Sequence, residues 1–149
     1  MRSRKIIKGC KWTFKRKCDQ DGNTMQYKAR LVAKGYNQKL GTDYDETFAP
    51  VVKHTTIRTF LTAAVYIRMH VKHIDVKTTF LFGNLHENIC MKQEEGYIMP
   101  GEEQKVFKLK KSLYGFKQAA KSWNQKKTEV LQLKNFQQRI ADNSLFTKE

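Results

Sequence analysis

Asp75 lies in the stretch His73-Ile74-Asp75-Val76-Lys77-Thr78-Thr79-Phe80, where an apolar, β-prone lead-in ends at a carboxylate and a short turn of helix-compatible spacing follows. A carboxylate at a strand end, facing a cleft on a basic chain, is suited to hold a hard divalent cation against nucleotide phosphates. The same residue in the same place also serves as a turn or capping aspartate, and the local pattern leaves both roles open. Cations are plentiful around it. Lys15, Arg16, Lys17, Lys28 and Arg30 fall in one basic patch, and Lys110, Lys111, Lys117 and Lys121 in a second. Lysine-rich patches suit contact with phosphates more than reading of base edges. Other candidate groups are weaker. Asp45 and Glu46 are adjacent, so an extended chain points them apart, and pairing with basic neighbours or capping the next element is expected. His70 and His73 sit on opposite faces of a strand, which argues against a histidine metal site.

These groups need elements to hold them. Residues 11–17 and 25–34 are rich in β-branched, aromatic and long basic side chains, and Asp19-Gln20-Asp21-Gly22-Asn23 between them is a turn signal, so a β-hairpin is expected. Trp12, Phe14, Tyr27, Leu31 and Val32 alternate along it with the basic residues, which lets one face pack while the other meets phosphates. A loop from Gly41 to Pro50 carries Asp43, Asp45 and Glu46. Thr55 and Thr56 then precede Ile57, Phe60, Leu61, Ala64 and Val65, a helical stripe that reads as a core helix over 55–67 with a threonine cap. It would support a strand over 70–75 from behind and so fix Asp75. A short strand is expected over 87–93, a loop over 94–103, a helix over 117–135 and a further strand beginning near Leu145.

Composition bounds the partners. The chain has 149 residues, with 29 basic against 14 acidic side chains and a formal net charge of +15, and a field of that sign attracts polyanions whatever the fold. Nucleic acid is the leading partner. No run of 18 apolar residues is present, and Met1-Arg2-Ser3-Arg4-Lys5 lacks a following apolar core, so no membrane partner is expected and the chain reads as intracellular, not secreted. Cys10, Cys18 and Cys90 have no paired spacing, which indicates neither a disulfide framework nor a zinc knuckle.

Four longer words occur in one order: Lys28 to Gln38 (KARLVAKGYNQ), Tyr44 to Lys53 (YDETFAPVVK), Asp75 to Leu81 (DVKTTFL) and Ser112 to Ala119 (SLYGFKQA). Together they closely resemble the copia-type retrotransposon reverse transcriptase, from about residue 5 onward. The resemblance implies an α+β fold, the fingers and the N-terminal half of the palm of a right-hand polymerase. Residues 5–149 would form a partial domain, with about 5–53 a fingers-like hairpin and loop, about 54–149 partial palm and fingers, and residues 1–4 a flexible lead. It implies Asp75 as the first catalytic metal ligand, the Val76 backbone carbonyl as a further one, and Mg²⁺ as the metal. Phe80 would lie under the incoming sugar as a gate against ribose. Lys28 and Arg30 would meet the triphosphate, and Gly115 would allow close backbone approach beneath template and primer. The implied partners are an RNA or DNA template-primer and deoxynucleoside triphosphates.

The sequence departs from the family in places. Thr79 replaces the usual alanine, Phe82 the usual asparagine, and Ala120 and Lys121 the usual proline and arginine, which bears on the nucleotide pocket and on the entry to the next helix. The family's adjacent catalytic aspartates have no counterpart in these residues. Two Mg²⁺ ions roughly 3.5 to 4 Å apart need several carboxylates, so the expectation is a fragment of an RNA-directed DNA polymerase that is inactive alone. The competing reading is a non-catalytic nucleic-acid-binding module that uses the basic patches with Trp12, Tyr27, Tyr114 and Trp123 as stacking platforms.

Overall fold

The computed structural model describes residues 6–148, so the flexible lead expected for residues 1–4 lies outside the described residues. Strand β1 (Ile6–Lys8) leads into the hairpin of β2 (Cys10–Cys18) and β3 (Thr24–Ala33). Then come helix α1 (His54–Tyr66), β4 (Ile89–Lys92), β5 (Val106–Lys108), helix α2 (Ala119–Leu133) and the pair β6 (Gln137–Arg139) and β7 (Asp142–Thr147). Small helices and short strands together make the α+β character expected from the sequence. The strands form three ladders: β1-β4-β5, with β1 parallel to β4 and β5 antiparallel, then β2-β3, then β6-β7.

The hairpin forms where the turn signal stands. Asp19 Oδ1 accepts from the backbone N–H groups of Asp21 and Asn23 at 3.0 and 2.8 Å, closing the turn through its own side chain. Beyond β3 the chain meets the core, where Ala33, Ile89, Phe116 and Ala119 are buried together with Phe80, Leu85, Leu109 and Leu113 packed against them. This cluster joins the hairpin's end, strand β4, the turn Thr79–Leu81 and the start of α2.

Both helices end in the same way. In α1 the Met69 N–H reaches the Ala64 carbonyl at 2.7 Å and Arg68 N–H reaches Val65, with Arg68 at φ 53°. In α2, Phe136 N–H reaches Leu131 and Asn135 N–H reaches Gln132, with Asn135 at φ 63°. These are Schellman closures with arginine and asparagine where glycine is the usual occupant.

Three expectations fail. Residues 69–76 are irregular and exposed, so the strand over 70–75 is not formed and Asp75 does not sit at a strand end. β propensity in Val71, Ile74 and Val76 does not suffice, because a strand's N–H and C=O groups need a neighbour and the described ladders close without this segment. Helix α1 is found within a residue of its predicted ends, but it is not a core helix: Phe60 is 45% and Val65 80% exposed, and only Ala64 is buried. Nor do Thr55 and Thr56 cap it. The N-cap position is Lys53, whose N–H donates to the buried Asp142 carboxylate at 2.9 Å, while Thr56 Oγ1 donates to the same oxygen at 2.7 Å. A carboxylate from the first residue of β7 thus caps α1 from across the fold.

Candidate functional site

Register decides which hairpin side chains share a face. Directly opposed residues lie on the same side of an antiparallel pair. Lys11 opposes Val32, Thr13 opposes Arg30, Lys15 opposes Lys28 and Lys17 opposes Gln26. One face therefore carries Lys15, Lys17, Lys28 and Arg30. The other carries Trp12 with Leu31, Phe14 with Ala29 and Arg16 with Tyr27. Trp12 stacks on Phe14 at 6.3 Å between centroids and also approaches Tyr97 at 6.4 Å. The first basic patch is thus divided, with Arg16 among aromatic residues and its neighbours on the cationic face.

Crowding on that face is electrostatically unfavourable. The Lys28 ammonium is held below its ordinary pKa, first by the neighbouring Lys17, then by desolvation and, more weakly, by Arg30 and Lys15. Among the described residues no acidic side chain pairs with this row, and a row of cations of that kind attracts polyanions.

Beside this row lies a cleft of about 370 Å³ lined by residues 27–31 of β3, Thr78, Leu81, Leu113 and Tyr114. Lys28 and Arg30 are in its wall. Phe80 lies within the turn that supplies Leu81, and its ring meets Tyr114 edge to face at 5.2 Å. Gly115 follows Tyr114 at φ 92°. Four of the residues singled out from sequence, Lys28, Arg30, Phe80 and Gly115, are therefore brought to one place. Asp75 and Val76 are exposed on the irregular segment that reaches the cleft at Thr78, itself in a left-handed conformation at φ 54°.

The second basic patch is partly committed to the fold. Lys117 Nζ donates to the Gln38 carbonyl at 3.1 Å and to the Tyr44 hydroxyl at 3.3 Å, and it lies over the Tyr44 ring. Lys121 pairs with Glu46 at 2.6 Å, a partner 75 positions away, and Lys111 Nζ donates to Asn84 Oδ1 at 2.6 Å. Lys110 is exposed. A second cleft of about 300 Å³ is lined by Asp45, Glu46, His86, Glu87, Gln118, Lys121, Ser122 and Gln125. Its acidic wall and its internally paired Lys121 make it unsuited to a polyanion.

Asp75 and the Val76 carbonyl would offer two oxygen donors to Mg²⁺, which prefers six in near-ideal octahedral geometry. Among the described residues no three histidine, cysteine or acidic side chains converge as a metal site. The donor set on this chain does not by itself fit the ion.

Sequence reasoning overlooked Thr78, Leu81 and Leu113 as cleft residues and treated Tyr114 only as a stacking surface. The available signal was the position of Tyr114 directly before a glycine in the last shared word. Asp142 was also missed, because a cap contributed from 86 positions away leaves no local pattern.

Comparison with known proteins gives the chain its relatives. A model of the family described as reverse transcriptase (RNA-dependent DNA polymerase) matches residues 2–149. The chain is 46% identical over 139 residues to the retrovirus-related Pol polyprotein from transposon TNT 1-94 of Nicotiana tabacum, covering 93% of this chain and 10% of that protein. It is 44% identical over 140 residues to the retrovirus-related Pol polyprotein from transposon RE1 of Arabidopsis thaliana, covering 94% and 10% respectively. The transposon Ty1-BL Gag-Pol polyprotein of Saccharomyces cerevisiae is 33% identical over 101 residues, 65% of this chain and 5% of that protein. The chain thus spans about a tenth of the length of the first two of these relatives. No solved structure matches it.

Proposed function

Because the chain belongs to the reverse transcriptase (RNA-dependent DNA polymerase) family, we propose that it forms the nucleotide- and template-facing part of a copia-type retrotransposon polymerase. The hairpin would act as fingers and the segment from residue 54 as part of the palm. One observation carries the reading: Lys28 and Arg30 share a cleft wall with Tyr114, against which Phe80 packs. Cations beside an aromatic pair match a ligand with a polyphosphate and a sugar-base body.

In this reading the cationic face takes the triphosphate of an incoming deoxynucleotide, Phe80 lies against its sugar, and the segment around Gly115 runs beneath the template base. Lys15 and Lys17 extend the cationic row, with Arg16 turned to the aromatic face, while Lys110 continues the phosphate-binding surface from the second patch. Asp75 would be one metal ligand of the polymerase. A bound divalent ion would supply charge neutralisation on the phosphates, and this chain's own contribution is to bind and orient them.

The test is titration of the 149-residue chain with inorganic tripolyphosphate and with dATP at low ionic strength, followed by NMR. Binding is expected, with the signals of Lys28 and Arg30 shifted and affinity reduced about ten-fold in Lys28→Ala or Arg30→Ala. Absence of tripolyphosphate binding overturns the reading. Primer extension by the isolated chain that disappears in Asp75→Asn would overturn the ligand count, since a further carboxylate of this chain would then have to complete the metal site.

A further inference from the structure

Tyr114 is held from three sides, twice by strand β3 and once by the turn Thr79–Leu81. Its carbonyl oxygen accepts from Ala33 N–H at 2.7 Å, tying it to the end of β3. The Arg30 guanidinium stands over its ring, 5.8 Å from the centroid. On another side the Phe80 ring meets it edge to face, with an interplanar angle of 69°. The hairpin, the turn Thr79–Leu81 and the segment before α2 therefore meet at one half-buried phenol in the cleft wall.

The chemistry of these contacts is directional. A cation–π contact engages the guanidinium's charge and not its N–H donors, which remain available for phosphate oxygens. Tyr114 can thus restrain Arg30 without competing for its hydrogen bonds. The edge-to-face contact likewise fixes the tilt of Phe80 through the ring quadrupoles.

We propose that Tyr114 is a positioning residue that couples Arg30 to Phe80, so that one side chain sets both triphosphate affinity and discrimination between deoxyribose and ribose. This rests on the reading of the cleft as a deoxynucleotide site. Engagement of a triphosphate by Arg30 holds the Tyr114 ring in place, and the ring in turn holds Phe80 against the 2′ position of the sugar. Without the ring, Arg30 loses its cation–π partner and Phe80 its lateral support.

The experiment measures dATP, ATP and tripolyphosphate binding by NMR titration in the 149-residue chain and in Tyr114→Phe, Tyr114→Leu, Arg30→Gln and the Tyr114→Leu/Arg30→Gln double variant. Tyr114→Phe keeps ring and backbone bond and should retain both affinity and the dATP:ATP ratio. Tyr114→Leu should lower tripolyphosphate affinity about two- to five-fold through the lost cation–π contact and reduce the dATP:ATP preference by about five-fold. In the double variant the two losses should fall short of additivity, because each removes the same contact. Hairpin amide shifts report whether Tyr114→Leu remains folded, and if it does not, Tyr114→Met replaces it. Tripolyphosphate binding that weakens in Arg30→Gln alongside an unchanged dATP:ATP ratio in Tyr114→Leu overturns the coupling and leaves the cleft reading standing. No tripolyphosphate binding by the unaltered chain overturns both.

Discussion

Gly35 and Gly115 meet backbone to backbone: a Cβ on Gly35 would overlap the Gly115 carbonyl, whose carbon it would approach to 2.9 Å. A Cβ on Gly115 would in turn overlap the Ala33 carbonyl oxygen and lie 2.7 Å from Val32 Cγ1. The hairpin's end and the segment before α2 can touch because neither glycine carries a side chain. Gly115→Ala combines that overlap with a side chain at φ 92°, and a loss of about 2 to 4 kcal/mol is expected by urea denaturation. A value within about 0.5 kcal/mol of the parent would show that the two segments are not in contact.

Asp142 should make stability depend on acid. Its carboxyl is held below its ordinary 3.8, first by the Lys53 N–H, then by the Thr56 hydroxyl and the Ser144 N–H. A depressed folded pKa contributes stability that is fully present above the unfolded value and is lost as pH falls through the folded one. Asp142→Ala should lower the urea midpoint at pH 6 and flatten its decline below pH 4. Faster amide exchange in the first turn of α1 would accompany it.

Lys28 supplies the opposite case. Its pKa lies below 10.5 in the folded chain, with Lys17 the main cause, so the unfolded chain binds more protons in that interval and stability should rise with pH from the lowered value toward 10.5. Lys17→Met should move the Lys28 titration upward, followed by NMR of its ε-methylene. Tripolyphosphate should shift it in the same direction, with proton uptake on binding.

Arg68 occupies the left-handed closing position of α1 at φ 53°. A side chain there costs about 1 kcal/mol relative to glycine, partly offset by glycine's greater freedom in the unfolded chain. Arg68→Gly should therefore raise stability by about 0.5 kcal/mol, readable as a small increase in Tm.

The apolar stripe of α1 remains in water, with Phe60 and Leu61 both nearly half exposed. Surface of this kind promotes association. Sedimentation should show concentration-dependent self-association of the chain, reduced in Phe60→Lys.

Local patterns were legible where local chemistry decides the outcome. Asp19 and Gly22 make the hairpin turn by themselves, and the spacing from Ile57 to Val65 produces a helix whether or not its face is covered. Convergence of Lys28, Arg30, Phe80 and Gly115 was legible only through the shared words, since no periodicity links residue 30 to residue 114. What failed depended on partners distant in sequence. Val71 and Ile74 have strand propensity but no adjoining strand, and α1 takes its cap from Asp142 instead of from its own threonines.

Strand β1 pairs in parallel with β4, Ile6 opposite Ile89 and Lys8 opposite Met91. That pairing imposes an order of assembly on the emerging chain. The hairpin can close on its own within microseconds, since its contacts are local, but β1 waits for residues some eighty positions later, and Ala33 waits about as long for Tyr114. At about 5 to 20 residues per second of synthesis, the hairpin exists for several seconds as a separate cationic ribbon before anything fixes its direction. The cleft consequently forms only after the hairpin, and folding should show a fast hairpin phase followed by a slower docking phase that creates the cleft wall.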